Sequence, residues 1–172
     1  MSNSQLKNYI DSIPDFPKKG ILFRDILPIL RHPKIFNSVI EYMAKIKECI
    51  EADALIAIDA RGFLFGSPLA LKIDKPLILA RKPNKLPGKI ISQEYELEYG
   101  SNSLSLQEKS IEKYNKYAII DDLLATGGTV DCLQQLLKNK GKIISCLAVV
   151  IELENLKGRK KFNFPTISQV VY

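Results

Sequence analysis

Four short runs along the chain are apolar at nearly every position, and amphipathic stretches lie between them. The runs are residues 54–58 (ALIAI), 76–80 (PLILA), 117–120 (YAII) and 143–153 (IISCLAVVIEL). A strand buried on both faces is apolar throughout instead of alternating with polar residues, so each run predicts a central strand. Strands that alternate with helices predict right-handed crossovers and a parallel sheet with helices on both faces, which is an α/β fold.

The stretches between the runs have helical patterning. Residues 34–50 place apolar side chains at three- and four-residue steps, and residues 129–141 do the same, with Gly141 as a C-terminal stop. Residues 63–73 also look helical, but they contain Pro68. Because proline removes a helical hydrogen bond, we expect this helix to start late or to be irregular.

The stretch from Lys82 to Gln107 interrupts the alternation. Its segments EYELEYG and SLSLQ predict an antiparallel excursion or a long flap at about 82–107. The chain has 172 residues and is 46% hydrophobic, enough for one well-buried core, whereas two domains would be cramped. We therefore predict a single domain over residues 1–172.

Several classes of protein are disfavoured by what the sequence lacks. No run approaches the roughly 20 apolar residues of a membrane span, and the first residues do not look like a secretory signal. The three cysteines, Cys49, Cys132 and Cys146, are far apart and form no C-x-x-C pair, which suits a reducing cytoplasm. The one histidine, His32, argues against a histidine-based metal site or a Ser-His-Asp triad.

The chain is modestly basic, with a net charge of +6 and a pI near 9.1. Such a balance suits nucleic acid, a membrane surface or a small polyanionic substrate. The lysines are scattered except in residues 80–89 (ARKPNKLPGK) and 156–161 (LKGRKK). Charge alone does not choose among these partners.

Two adjacent carboxylates, Asp121 and Asp122, follow the apolar run 117–120, and a loop of small and hydroxylated residues comes next. The loop consists of Ala125, Thr126, Gly127, Gly128 and Thr129. Ligands of an open parallel sheet lie beyond the carboxyl ends of its strands, where we expect both acids. The loop leads into a helix N-terminus, whose backbone N–H groups and dipole bind anions.

Carboxylates accept hydrogen bonds from vicinal hydroxyls and attract Mg²⁺ or a developing cation. Two acids followed by such a loop therefore suggest a cradle for a ribose 5-phosphate. The alternative is a solvated turn at Asp121 and Asp122 followed by an ordinary capped helix. The loop is not a Walker motif, because Gly128 is followed by Thr129 and not by lysine, and the dinucleotide G-x-G-x-x-G spacing is missing.

The stretch DDLLATGGT (121–129) resembles the signature for 5-phosphoribosyl 1-pyrophosphate (PRPP) of type I phosphoribosyltransferases, in the version of the branch that uses adenine. Three further segments, at residues 16–30, 59–70 and 81–100, resemble this branch in the same order. The resemblance implies the type I fold with an inserted flap and a small N-terminal base-binding hood. It implies that PRPP and adenine give AMP and pyrophosphate with Mg²⁺, in purine salvage by a cytoplasmic homodimer, with no nucleic acid or membrane partner.

The resemblance also implies roles for individual residues. The loop 125–129 would hold the 5-phosphate, while Asp121 and Asp122 would hold the ribose hydroxyls and contact Mg²⁺ through water, the ion being bound mainly by PRPP. Arg61 would bind pyrophosphate, and the peptide between Asp59 and Ala60 would be cis. A basic flap would close over the polyphosphate; its cations are Arg81, Lys82 and Lys85.

For the base, the resemblance implies a sandwich between Phe23 and Leu123, with backbone groups around Leu22 and Arg24 reading the purine edge. Glu98 and Tyr99 would approach the reaction centre, where Glu98 is a candidate to manage a purine proton through N7.

Two other functions stay open. The first is a phosphoribosyltransferase for hypoxanthine, guanine, xanthine or a pyrimidine, which residues 16–25 (FPKKGILFRD) and the EYELEYG segment speak against. The second is a catalytically silent, PRPP-sensing regulator that binds nucleic acid, which the basic pI favours. Arg61, both acids and the flap are all retained, and the chain has no room for an added DNA-binding domain.

Overall fold

The computed structural model describes residues 3–96 and 101–172. The strands are β1 (Asp11–Pro14), β2 (Leu22–Asp25), β3 (Ala54–Ile58), β4 (Leu77–Ala80), β5 (Ile90–Glu96), β6 (Ser101–Gln107), β7 (Lys116–Leu124), β8 (Ile143–Glu152) and β9 (Thr166–Val171). The helices are α1 (Asn3–Lys7), α2 (Leu27–Leu30), α3 (Pro33–Met43), α4 (Lys47–Ile50), α5 (Gly62–Lys72), α6 (Glu108–Glu112) and α7 (Gly128–Asn139). Short 3₁₀ turns span Glu154–Leu156 and Gly158–Lys161.

The centre of the fold is a five-stranded sheet in the order β4-β3-β7-β8-β9, and every neighbouring pair is parallel. The predicted α/β class and the four predicted central strands are therefore confirmed. Since successive strand residues face opposite sides, neighbouring residues enter different core layers. Leu55 belongs to the layer built with α3, α4 and α5, while Ile56 belongs to the layer built with α6, α7 and β6.

The helical pattern over 34–50 is interrupted, contrary to the expectation of one uniform stripe. Helix α3 ends at Met43, and the chain turns before α4 begins at Lys47. Ile46 has an extended backbone (φ −69°, ψ 113°) and is buried, as is Cys49. The break lets both side chains pack into the core layer that contains Leu55.

Helix α5 is continuous, so the expectation that Pro68 would delay or distort it is wrong. Proline deprives the carbonyl of the residue four positions earlier of its helical donor, and here that residue is the exposed Leu64. Water can satisfy this carbonyl. The opposite face of the helix packs in the core through Phe65 and Leu69, which holds the helix together.

Two antiparallel hairpins flank the central sheet. Strands β1 and β2 form the N-terminal one, and β5 and β6 form the excursion predicted for residues 82–107. The second hairpin is attached to the core: Leu104 and Leu106 are buried, and Arg81 pairs with Ser105 in a backbone bridge. Among the described residues, no helix combines the length and the apolar character needed to cross a membrane.

Candidate active site

The candidate site lies at the carboxyl ends of β3 and β7, which are neighbours in the sheet. A cavity of about 400 Å³ opens there. Its lining consists of Ile58, Asp59, Ala60, Arg61, Lys82, Leu104, Asp121, Asp122, Leu123 and Thr129. The structure thus brings together the two acids, the predicted arginine and one lysine of the basic stretch, although these lie far apart along the chain.

The two acids lie inside β7 and not after its end, because β7 continues to Leu124 instead of stopping at residue 120. The long strand β8 runs beside it as far as Glu152 and keeps the backbone extended through both acids. Asp122 is 4% exposed. The Nε of Arg61 lies 2.9 Å from its Oδ2, so a buried carboxylate is paired with a half-exposed guanidinium.

The environment of the acids disfavours their charged forms. Burial raises the pKa of Asp121 well above its ordinary value, and the neighbouring Asp122 carboxylate raises it further. Burial also raises the pKa of Asp122, although the charge of Arg61 opposes this shift. Within the part of the chain that the structure describes, Asp122 Oδ2 receives no hydrogen bond despite its ion pair. Asp122 thus lines the cavity while its Oδ2 is buried against Arg61.

Gly62 allows the helix after Arg61 to approach β7 closely. A Cβ at Gly62 would lie 2.8 Å from the Ile120 carbonyl oxygen and 3.0 Å from Asp121 Oδ1. The absence of a side chain at this position therefore places Arg61 and α5 in direct contact with the acidic strand. The peptide between Asp59 and Ala60 is cis, as the resemblance implied.

A second cavity of about 90 Å³ adjoins the first and shares Asp121, Leu123 and Thr129 with it. The predicted anion loop, residues 125–129, lines this smaller cavity. Gly127 has a left-handed backbone (φ 78°) and is the N-cap of α7. The positive end of a 12-residue helix therefore faces the loop, as a phosphate site requires.

The basic residues at the start of the flap occupy different positions. Lys82 lines the larger cavity. Arg81 donates from Nε to Asp59 Oδ2 at 3.0 Å, and its guanidinium lies over the Phe63 ring. Lys85 is exposed and is not among the residues that line either cavity. Asp59 lines the larger cavity and holds Arg81. No role was predicted for this side chain from the sequence, because an isolated aspartate has no distinguishing pattern.

Of the predicted base-binding residues, Phe23 lies near Arg61 and Leu123 lies in the cavity walls. The Arg61 guanidinium carbon is 5.7 Å from the centroid of the Phe23 ring, and Phe16 packs edge-on against Phe23 at 5.1 Å. Leu123 lines both cavities, whereas Phe23 lines neither of them. Leu22 is exposed.

Arg24 directs its side chain away from this group: its guanidinium carbon lies 3.8 Å from the centroid of the Tyr172 ring, and it also bonds Ser12. Only its backbone is left for the predicted base contact. The two remaining predicted residues, Glu98 and Tyr99, lie outside the described residues.

The donor set of the site suits a cation held mainly by a substrate. Asp121 and Asp122 present carboxylate oxygens, the ligands that Mg²⁺ prefers. Among residues 3–96 and 101–172, no group of three or more histidine, cysteine or acidic side chains could form a metal cage. One or two carboxylates combined with substrate phosphates is a common way of holding Mg²⁺.

An open parallel sheet with paired acids and an anion loop at its carboxyl edge is typical of enzymes that bind nucleotides or phosphorylated sugars. Comparisons with known proteins identify the family. The family model of the phosphoribosyl transferase domain matches residues 26–167. The chain therefore belongs to the phosphoribosyltransferase family.

Relatives of full length narrow the identification to one branch. An adenine phosphoribosyltransferase from Prochlorococcus marinus (strain MIT 9215) is 54% identical over 172 residues, which cover 100% of this chain and 100% of the relative. Another, from Mycoplasmopsis agalactiae, is 48% identical and covers 92% of each chain. The resemblance seen in the sequence to the adenine branch is thus confirmed.

Solved structures agree with this result. The crystal structure of adenine phosphoribosyltransferase from Thermoanaerobacter pseudethanolicus matches with a TM-score of 0.93 and 43% identity, covering 99% of this chain and 100% of that one. The enzyme from Saccharomyces cerevisiae, complexed with D-2,5-dideoxy-2,5-imino-altritol 1,6-bisphosphate and adenine, matches with a TM-score of 0.91 and 35% identity, covering 97% of each chain.

Proposed function

We propose that this protein converts adenine and PRPP to AMP and pyrophosphate, a reaction of purine salvage. The observation that carries the proposal is the pair of adjoining cavities, one lined by Arg61 and the two acids and the other by the small-residue loop. PRPP carries a phosphate, a ribose and a pyrophosphate in that order. The loop, the two acids and Arg61 line the two cavities in the matching order. The choice of adenine as the base rests on the names of the full-length relatives, which are adenine phosphoribosyltransferases.

The 5-phosphate of PRPP occupies the smaller cavity. Its charge meets the N-terminus of α7, and residues 125–129 carry no side chain larger than threonine, so their backbone can approach the phosphate oxygens. The hydroxyls of Thr126 and Thr129 provide further hydrogen-bond donors. Binding at this end orients the sugar, which holds the anomeric carbon in the larger cavity.

The ribose hydroxyls bind Asp121 and Asp122. Both carboxylates line the larger cavity, which supports this assignment, because they can accept hydrogen bonds from ribose hydroxyls. As the bond between C1 and the pyrophosphate oxygen breaks, positive charge develops on the sugar ring. Carboxylates fixed beside the ribose favour that charge electrostatically.

The pyrophosphate binds on the side of Arg61, whose guanidinium suits a diphosphate bidentately. Lys82 lies in the same cavity, and Arg81 can join it by leaving Asp59. The bond electrons depart with pyrophosphate, and adenine N9 forms the new bond to C1 while the purine loses a proton, for which Glu98 is the proposed acceptor. Closure of the flap over these groups, with Tyr99 near the reaction centre, would exclude water.

The base stacks near Phe23 and Leu123, with backbone groups around Leu22 and Arg24 at its edge. The proximity of Phe23 to Arg61 supports this assignment, since the incoming base and the departing pyrophosphate both lie next to C1, on its opposite faces. Asp121 or Asp122 would hold Mg²⁺ through water, with PRPP as its main ligand, and the ion would supply positive charge to offset that of the departing pyrophosphate.

We also propose a cytoplasmic homodimer. Three buried, unbridged cysteines suit a reducing compartment. A surface groove of about 480 Å³ between α3 and α5 supports self-association, because Phe36, Pro68 and Leu71 line it and Leu71 is 87% exposed. Light scattering of the wild type and of Leu71→Glu tests this: a dimer that becomes a monomer agrees with the proposal, and a monomeric wild type contradicts it.

The reaction itself is tested by AMP formation from PRPP and Mg²⁺ with adenine, hypoxanthine or guanine at equal concentrations. The Arg61→Ala variant, purified in the same way, controls for contaminating host enzyme. Turnover with adenine alone supports the proposal. Turnover with an oxopurine would retain the PRPP site and overturn the base assignment, whereas PRPP binding without turnover would favour a regulator.

A further inference from the structure

The basic turn at residues 157–161 is anchored by a buried carboxylate. Glu152, at the end of β8, is 2% exposed. Arg159 donates to it with both Nε, at 2.6 Å from Oε1, and Nη2, which bonds Oε2. The hydroxyl of Ser168 on β9 donates to Oε2 at 2.7 Å. Because both carboxylate oxygens have donors, the turn is tied to two strands of the central sheet by a charged, bidentate contact.

The same turn packs directly behind the anion loop. A Cβ at Gly127 would lie 2.8 Å from the Gly158 carbonyl oxygen and 2.9 Å from Cζ of Phe162. A Cβ at Gly158 would clash with the carbonyl oxygen of Ala125. Backbone therefore meets backbone from both sides, and the side chains in the same contacts, Leu124 and Phe162, flank the loop and the turn.

A loop made of alanine, threonine and glycine has few side-chain contacts of its own to determine its shape. The position of its backbone N–H groups therefore depends on the surface that packs behind it, and here that surface is the basic turn. Arg159 ties that turn to the central sheet through Glu152. A displacement of about 1 Å in a substrate-positioning group can cost about 100-fold in rate.

We propose that Glu152 and Arg159 are positioning residues for phosphate binding, and that their ion pair holds the turn in the position that shapes the loop. This inference rests on the proposed function, since it assigns the loop to the 5-phosphate of PRPP. Neither residue touches the substrate. Their effect is specific to one substrate, because the turn packs behind the loop that lines the smaller cavity and contributes no residue to the lining of the larger one.

The test is a comparison of steady-state constants for Arg159→Lys, Arg159→Ala and Glu152→Gln, with Lys160→Ala as the control. Lys160 is exposed, follows Arg159 directly and carries the same charge, but it takes no part in the anchor. We expect KM for PRPP to rise about 10- to 100-fold in Arg159→Ala and Glu152→Gln. Lysine cannot reproduce the bidentate contact, so Arg159→Lys should show a smaller rise of the same kind. Lys160→Ala should match the wild type.

The readout separates positioning from mere stability. A variant that is only partly folded loses kcat in proportion to its inactive fraction and keeps its KM values. A positioning defect raises KM for PRPP and leaves KM for adenine within about twofold, because the loop contacts only PRPP. Titration with ribose 5-phosphate should show the same loss of affinity without turnover.

Two outcomes would overturn the inference: an unchanged KM for PRPP in Arg159→Ala, or equal rises for both substrates. Should Arg159→Ala fail to fold, Ser168→Ala and Arg159→Lys carry the test, since each removes only part of the anchor. Wild-type protein in the same assay distinguishes the two proposals. If it forms no AMP, the proposed function fails; if it is active and the variants have normal KM values, only the anchor fails.

Discussion

The junction between the anion loop and the basic turn can be tested with two glycines that flank α7. Gly127 precedes the helix (φ 78°) and Gly141 follows it (φ 67°), and both have a left-handed backbone. A Cβ at Gly141 would meet nothing within 4 Å, whereas a Cβ at Gly127 would contact Gly158 and Phe162. Alanine at both positions shares the backbone penalty, so the difference between the variants isolates the packing.

The magnitudes follow from these two contributions. A left-handed alanine costs about 1–2 kcal/mol, which a stiffer unfolded chain offsets by about 0.4–1 kcal/mol, so Gly141→Ala should lose about 1 kcal/mol. Gly127→Ala adds overpacking against backbone and an aromatic ring, typically about 1–3 kcal/mol, and should therefore lose about 2–4 kcal/mol. Only the second change displaces the loop. We expect KM for PRPP to rise in Gly127→Ala and to stay normal in Gly141→Ala.

Urea unfolding followed by circular dichroism measures both free energies of unfolding, and AMP formation with varied PRPP measures KM. Equal losses of stability in the two variants would show that the loop and the turn are not in close contact. A normal KM for PRPP in Gly127→Ala, at a temperature where the variant is folded, would refute the assignment of the loop to the 5-phosphate.

Three further predictions concern the larger cavity and the aromatic residues near Arg61. Asp121→Asn should raise the melting temperature and abolish most activity. Because burial raises the pKa of Asp121, its charged form opposes folding, so the gain should be present at neutral pH, shrink as pH falls below the raised pKa and vanish below the ordinary carboxyl pKa of the unfolded chain; an unchanged melting temperature would contradict this. Arg61→Lys should lower kcat/KM by about 100-fold or more, because lysine cannot pair with Asp122 and at the same time bind a diphosphate bidentately. A loss of only about 10-fold would argue against direct contact between Arg61 and the pyrophosphate. Phe23→Ala should raise KM for adenine, because it removes one stacking contact that is worth about 1–3 kcal/mol of binding free energy. Phe16→Ala removes only the ring that packs against Phe23 and should raise this KM less. Equal rises in the two variants would place the base elsewhere.

Much of the candidate site could be predicted from local sequence. The acids, the loop and Arg61 are each recognisable next to a buried strand, and the structure brings them to one edge of the sheet. Lys85 was predicted with them but is exposed outside both linings, because charge and neighbouring prolines indicate a basic loop and do not say where its side chains point.

Other parts of the site depend on residues that local patterns do not connect. Asp59 holds Arg81 across 22 positions, and Glu152 joins both Arg159 and Ser168. Nothing in the sequence near Glu152 distinguishes it from a surface glutamate at the end of a strand. Its burial arises only when β9 and the basic turn pack around it.

The sequence by itself determined the class of fold, the central strands, helix α7 and the anion loop, because burial on both faces, helical periodicity and glycine-rich turns leave direct marks on neighbouring residues. Only the tertiary structure decided that β7 continues through both acids, that the helical pattern breaks before Lys47 and that α5 accommodates Pro68. Each of these depends on a partner distant in sequence. A strand extends because another strand pairs with it, and a helix keeps a proline when the core holds its opposite face.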